Sequence, residues 1–294
     1  MNYLTSKNAV YSFDKEIPPA LRIKSGDRVT FRTGDVVERE LSLLTKSKEE
    51  IGDTLLECIG PVFVEGALPG DTLAIHIEEI KLADRGIVVI KPGLGLLGSE
   101  VQKPEYKITP VFNDYVQFTE DIKIPLRPMV GIIGTTPAVS GIPCVFPGTH
   151  GGNLDSLEVT TGNTLFLPVF SPGGLVSVGD LHSVMGDGEV CLTAIETQGT
   201  VTLQFEILQG RTIRNPRLET DTDLLMIASA ESIEQALRDA VKDMIEVLQD
   251  SRGLSRNEAL MLVSICGDAK ISQVVNPLST VKVSMPKNIV FRET

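Results

Sequence analysis

Two polar stretches carry the residues best suited to chemistry. The first is Pro147-Gly148-Thr149-His150-Gly151-Gly152-Asn153-Leu154-Asp155, and the second is Gly179-Asp180-Leu181-His182-Ser183-Val184-Met185-Gly186-Asp187-Gly188-Glu189. Two of the chain's three histidines fall here, each with a carboxylate close by and glycines on both sides. Divalent zinc accepts histidine nitrogen and carboxylate oxygen, and a catalytic zinc site keeps one position for water. His150, Asp155, Asp180 and His182 are therefore the candidate metal ligands. Residues two apart in an extended segment face the same way, so Asp180 and His182 can converge on one ion. Taken singly, each histidine is unremarkable and an Asp or Asn beside Gly is an ordinary turn residue. Two such groups within about forty residues of glycine-flanked chain point instead to a metal or acid/base site.

Other chemistries find less support. There is no G-x-S-x-G elbow, and neither Ser183 nor Cys144 has a base that the sequence places beside it. The run Gly93-Leu94-Gly95-Leu96-Leu97-Gly98 follows an apolar strand and has the dinucleotide spacing. The helix that fingerprint requires is missing, because Pro104 interrupts the next stretch, so this is a glycine-rich loop able to approach a ligand. His76 alternates onto the more polar face of its strand with Glu78, where a lone histidine is usually surface.

The elements that must position these stretches are mostly strands. Ala20–Lys24 and Arg28–Arg32 alternate around Ser25-Gly26-Asp27, and a similar phrase returns at Pro69-Gly70-Asp71 before Thr72–Ile77. Further strands are expected at 87–90, on either side of Asn113-Asp114, and at 126–137, 164–170, 175–180, 190–196 and 200–207. Both polar stretches thus sit at strand ends. Composition changes near Ala228: Ile233, Ala236, Leu237, Ala240, Val241, Met244, Ile245 and Leu248 follow helical spacing, ended by Gly253. Ser255-Arg256-Asn257-Glu258 is a capping box that opens a second helix. The expected architecture is mainly β, a jelly-roll-like β-sandwich over residues 1–225, with a smaller α/β portion over 226–294 packed against it, α+β overall.

Length and charge narrow the function. A chain of 294 residues can bury a full core. Its four cysteines, Cys58, Cys144, Cys191 and Cys266, form no C-x-x-C pair and read as reduced thiols. With no secretory leader pattern and no apolar run of membrane-spanning length, a cytoplasmic protein is expected. The net charge of −12 disfavours nucleic acid and anionic lipid as partners and suits a neutral small molecule or a divalent cation.

Both polar stretches, together with Gly60-Pro61-Val62-Phe63-Val64-Glu65-Gly66-Ala67, Pro69-Gly70-Asp71, Gly253-Leu254-Ser255, Gly267-Asp268 and Ile271-Ser272-Gln273-Val274-Val275-Asn276-Pro277, resemble the acetamidase/formamidase family in order along the chain. The resemblance implies hydrolysis of a short-chain amide to its acid and ammonia, on a jelly-roll-like sandwich, as a homo-oligomer with a divalent metal, zinc or alternatively calcium. On that reading Glu65, Asp187 and Glu189 are the candidates for proton transfer. Gly95, Gly152 and Asn153 are the candidates for binding a small neutral amide. Two alternatives stand beside it: hydrolysis of another small C–N bond in a cyclic amide or carbamate, or a non-catalytic, metal-stabilised sandwich that binds a small ligand. The last would favour aromatic stacking residues, and only 5% of the chain is aromatic.

Overall fold

The computed structural model describes residues 2–44, 46, 50, 56–139 and 141–292. Among the described residues 44% lie in strands and 18% in helices, so the mainly β, α+β expectation holds. The strands that frame the site are β1 (Arg28–Arg32), β2 (Cys58–Glu65), β3 (Thr72–Ile90), β4 (Met129–Gly134), β5 (Gly151–Asn153), β6 (Thr164–Pro168), β7 (Val176–Val184), β8 (Ile195–Leu208), β9 (Asp223–Ala230), β10 (Asp268–Gln273) and β11 (Ser279–Pro286). All belong to one curled, 17-stranded sheet that is largely antiparallel.

Period-two patterning explains the core. Val29 and Phe31, Leu73, Ile75 and Ile77, Leu165 and Leu167, and Val201, Leu203 and Phe205 alternate inward on β1, β3, β6 and β8, forming one buried cluster. The sequence suggests separate strands near 72–77 and 87–90, whereas β3 runs unbroken through both. Its long partner β8 pairs with it from Leu208↔Thr72 to Glu196↔Ile87, and shifts of register absorb the curl.

Among the described residues, the longer helices beside the sheet are α1 (Val36–Leu43), α2 (Ile233–Arg252) and α3 (Arg256–Cys266). Ser232 caps α2, whose C-terminus is closed by Gly253 in the left-handed region at φ 71°. The Ser255/Glu258 capping box forms as its spacing predicts. β9 serves two cores at once. Leu225 and Ile227 join the main cluster, while Leu224, Met226 and Ala228 on the opposite face pack under α2 with Met244 and Leu248. The sheet is therefore continuous from the site-bearing strands into the C-terminal portion. No helix of the described residues is long and apolar enough to cross a membrane. All four cysteines are free.

Candidate metal and proton-transfer centre

The two polar stretches meet because β4 lies between their strands. Ile132 pairs with Asn153 of β5 on one side and with Gly179 of β7 on the other. The chain leaving β5 turns at Asp155, whose amide donates to Gly131 O at 3.2 Å. On the far side of β7, His182 faces Glu196 across the ladder to β8. His182 Nε2 stands 3.2 Å from Asp180 Oδ2, 3.2 Å from Glu196 Oε2 and 3.9 Å from Asp155 Oδ1, with the four side chains almost wholly buried. Two overlapping donor groups result, Asp155/Asp180/His182 and His182/Glu189/Glu196, each with its ligand atoms within 4.8 Å of one another.

The backbone is bent to build this cluster. Asp155, Asp180 and Glu189 adopt φ of 43°, 59° and 45°, a left-handed conformation that non-glycine residues avoid. Such strain persists only where the surroundings impose it, and it concentrates at functional sites. Space is made by Gly131: a Cβ there would lie 2.6 Å from Asp155 Oδ1 and 2.7 Å from Asp180 Oδ2. Asn276, from the turn after β10, donates to Asp155 Oδ2 at 2.7 Å and to Asn153 O at 3.1 Å, tying the C-terminal portion to the cluster.

Four buried carboxylates in contact cannot all stay charged without a cation. In the metal-free protein, burial pushes Asp155 up to about 7 and Glu196 up to about 8, the adjacent Asp180 carboxylate adding to both. Glu189 rises well above the carboxylate range through burial and the Asp155 charge. Burial opposes the charge of Asp180 as well, yet His182 holds it down at about 2. His182 lies well above its ordinary value, the Glu196 and Asp180 carboxylates outweighing a burial that would lower it. Arg39 of α1 is raised too: burial lowers it, but Glu40, Asp180 and Glu196 outweigh that. A narrow cleft of about 20 Å³ lined by Thr33, Asp35, Arg39, Glu57 and Thr197 reaches Asp180.

A divalent ion fits this donor set. Asp155 Oδ1, Asp180 Oδ1, Glu189 Oε2 and Glu196 Oε2 are all buried without a hydrogen-bond partner, an expensive state that coordination would relieve, and His182 Nε2 stands among these carboxylates.

The residues singled out from sequence divide into two sets. Asp155, Asp180, His182 and Glu189 come together. His150 belongs to neither donor group: it is buried edge-on to Phe13 at 4.8 Å, its Nε2 lacks a partner, and burial lowers it to about 4, leaving it neutral. Gly152, at φ 78°, leaves room for that ring, since a Cβ there would meet His150 Nε2 at 2.8 Å. Asn153 is buried with Oδ1 unpartnered. Asp187 is paired with Lys282 at 2.6 Å, and Glu65 is exposed at the end of β2. Gly95 packs against the carbonyl of Cys191, two residues beyond Glu189. Sequence reasoning missed Glu196, Arg39, Gly131 and Lys282. An acidic residue at a strand position whose neighbours are buried, as at Ile195-Glu196-Thr197, was the available signal.

A family model described as the acetamidase/formamidase family matches residues 5–142 and 138–292. The chain belongs to the acetamidase/formamidase family. A solved acetamidase from Bacillus halodurans superposes with a TM-score of 0.92 at 39% identity, covering 97% of each chain. A Schizosaccharomyces pombe relative is 26% identical over 66% of this chain and 63% of its own length. An acetamidase from Mycolicibacterium smegmatis is 39% identical over 74 residues, 25% of this chain and 18% of that enzyme. The chain thus matches less than two thirds of the length of these two relatives. Three of the donors, Asp180, His182 and Glu189, sit in one of the motifs by which the family resemblance was drawn.

Proposed function

We propose that the chain is an amidohydrolase that cleaves a short-chain aliphatic amide, of the formamide or acetamide type, with water to give the carboxylate and ammonium. The observation that carries this reading is the buried His182–carboxylate cluster with its unpartnered donor atoms, in a chain of this family. Asp155, Asp180, His182, Glu189 and Glu196 would hold the ion. An imidazole at the centre of the set favours zinc over calcium, which takes oxygen ligands. A bound divalent ion supplies Lewis acidity, polarising a carbonyl and lowering the pKa of water to about 7.

The chain's own side chains handle the protons and the orientation. Glu189, whose proton affinity is raised by burial and the Asp155 charge, suits taking a proton from the attacking water and passing it to the departing nitrogen. Asn153 Oδ1, buried without a donor, suits the amide NH2. In the metal-free protein Glu196 and Asp180 each stand 3.2 Å from His182 Nε2 and turn that nitrogen toward the donor set. The cluster is nearly buried and is approached through the cleft at Asp180, which limits the bulk water around it.

Ammonia release is to be measured over a panel of small amides, with and without chelator. Wild-type protein should release ammonia from formamide or acetamide and lose that activity on chelation. H182A and E189Q should each lose at least about a hundredfold in kcat, the scale of general acid/base contributions. Wild-type rates from H182A, or no release from any linear amide, would overturn the reading.

A further inference from the structure

We propose that Lys282 is a positioning residue for the carboxylate cluster, clamping together the two loops that carry Asp155 and Glu189. The inference rests on the metal-holding role given to that cluster. Lys282 lies on β11, in the C-terminal portion, and its side chain is 1% exposed. Its Nζ stands 2.6 Å from Glu158 Oε2 and 2.6 Å from Asp187 Oδ1. Neither carboxylate belongs to the donor groups, yet Glu158 follows Asp155 by three positions and Asp187 precedes Glu189 by two.

Each arm is secured further along its loop. Ser156 Oγ donates to the same Glu158 Oε2 at 3.1 Å, and Asn163 Nδ2 donates to Glu158 O at 2.8 Å. On the other arm, Gly188 N donates to Ser272 O at 2.9 Å and Val274 N to Gly188 O at 3.1 Å, seating the Asp187–Glu189 turn on the end of β10. Asp155 and Glu189 both keep left-handed backbones, which need imposed surroundings. A buried lysine gives little net stability compared with an apolar residue of similar size. What a lysine supplies here is direction: an ammonium with three donors can bind two carboxylates from separate loops at once. The C-terminal portion thereby fixes the distance between two halves of the cluster that are 34 residues apart in the chain.

The test uses full-length protein, Zn2+ as the probe and titration calorimetry, with kcat and KM for the preferred amide measured in parallel. E158Q, D187N and K282M should each weaken Zn2+ binding by about 10–100-fold, the usual effect of losing a partner that orients a ligand. The kcat should fall with KM nearly constant, and metal-free E158Q and D187N should keep the wild-type circular dichroism at the temperature of the titration, with a lowered melting temperature. E158Q and D187N each leave one arm in place, so they decide the matter even if K282M does not fold. Wild-type Zn2+ affinity in both would overturn the clamp while leaving the metal reading intact. Loss of affinity only in proportion to unfolded protein would also overturn it. A wild-type protein that binds no Zn2+ would sink the metal reading and the clamp with it.

Discussion

His182 and Glu196 are direct cross-strand neighbours, with Nε2 and Oε2 3.2 Å apart and both side chains nearly inaccessible. The β7–β8 ladder fixes this pair, so it precedes any ion. E196Q keeps the shape and removes one negative charge from the donor set. Metal affinity should fall by more than the roughly 10–100-fold that outer partners contribute, with the fold retained. Calorimetric titration of E196Q against wild type checks this, and equal affinities would remove Glu196 from the ligand set.

Gly131 is the second position that the cluster cannot spare. G131A would place a methyl within 2.6 Å of Asp155 Oδ1 and 2.7 Å of Asp180 Oδ2, and 3.0 Å from the Asp180 carbonyl. β4 is paired on both edges here, so the backbone has little room to retreat. The substitution should cost about 1–3 kcal/mol, the scale of overpacking in a close-packed core, and should weaken metal binding. Urea unfolding measures the first and titration the second; a G131A protein with unaltered midpoint and affinity contradicts the geometry.

Much of this arrangement was legible in the sequence, for identifiable reasons. Alternation marked the strands, and α2 and α3 announced themselves by helical spacing and a capping box, because these signals are local. Asp155, Asp180, His182 and Glu189 stood out by residue type and glycine flanks. Glu196, Gly131, Asn276 and Lys282 became readable only through strand register and tertiary packing. Glu196 enters the site because β8 happens to pair opposite His182, and Gly131 because β4 runs between two other strands. His150 shows the converse: its motif looks chemical, but the chain reverses after it and sends the ring toward Phe13.

That separation of the two histidines can be measured. H182A removes the nitrogen shared by both donor groups and should abolish Zn2+ binding. H150A removes a neutral ring packed on Phe13 and flanked by Gly148 and Gly152, leaving a cavity. It should retain Zn2+ affinity within about tenfold while losing about 2–4 kcal/mol of stability, as large-to-small core changes do. A complete loss of metal in H150A would return His150 to the ligand set.

Removing the metal should invert the pH dependence of stability. Asp155, Glu189 and Glu196 have folded-state values above the ordinary carboxylate range, at about 7 for Asp155 and about 8 for Glu196. Between the ordinary range and pH 8 the metal-free folded state therefore binds more protons than the unfolded chain, so its stability falls as pH rises. His182 acts in the same direction: raised in the fold, its contribution is complete below its unfolded value and is lost as pH climbs through the folded one. Asp180 is the exception, held at about 2, and its contribution is lost only in strong acid. A divalent ion takes the carboxylates deprotonated, so its binding releases protons and strengthens as pH rises. Melting temperature in chelator should accordingly decline from pH 5 to 8.5, while the increment gained on adding Zn2+ grows over the same interval. D155N, with one fewer buried charge, should melt above wild type in chelator at pH 8 and gain less from Zn2+. An increment that is constant with pH, or a D155N protein that gains as much as wild type, would show that these carboxylates do not bind the ion.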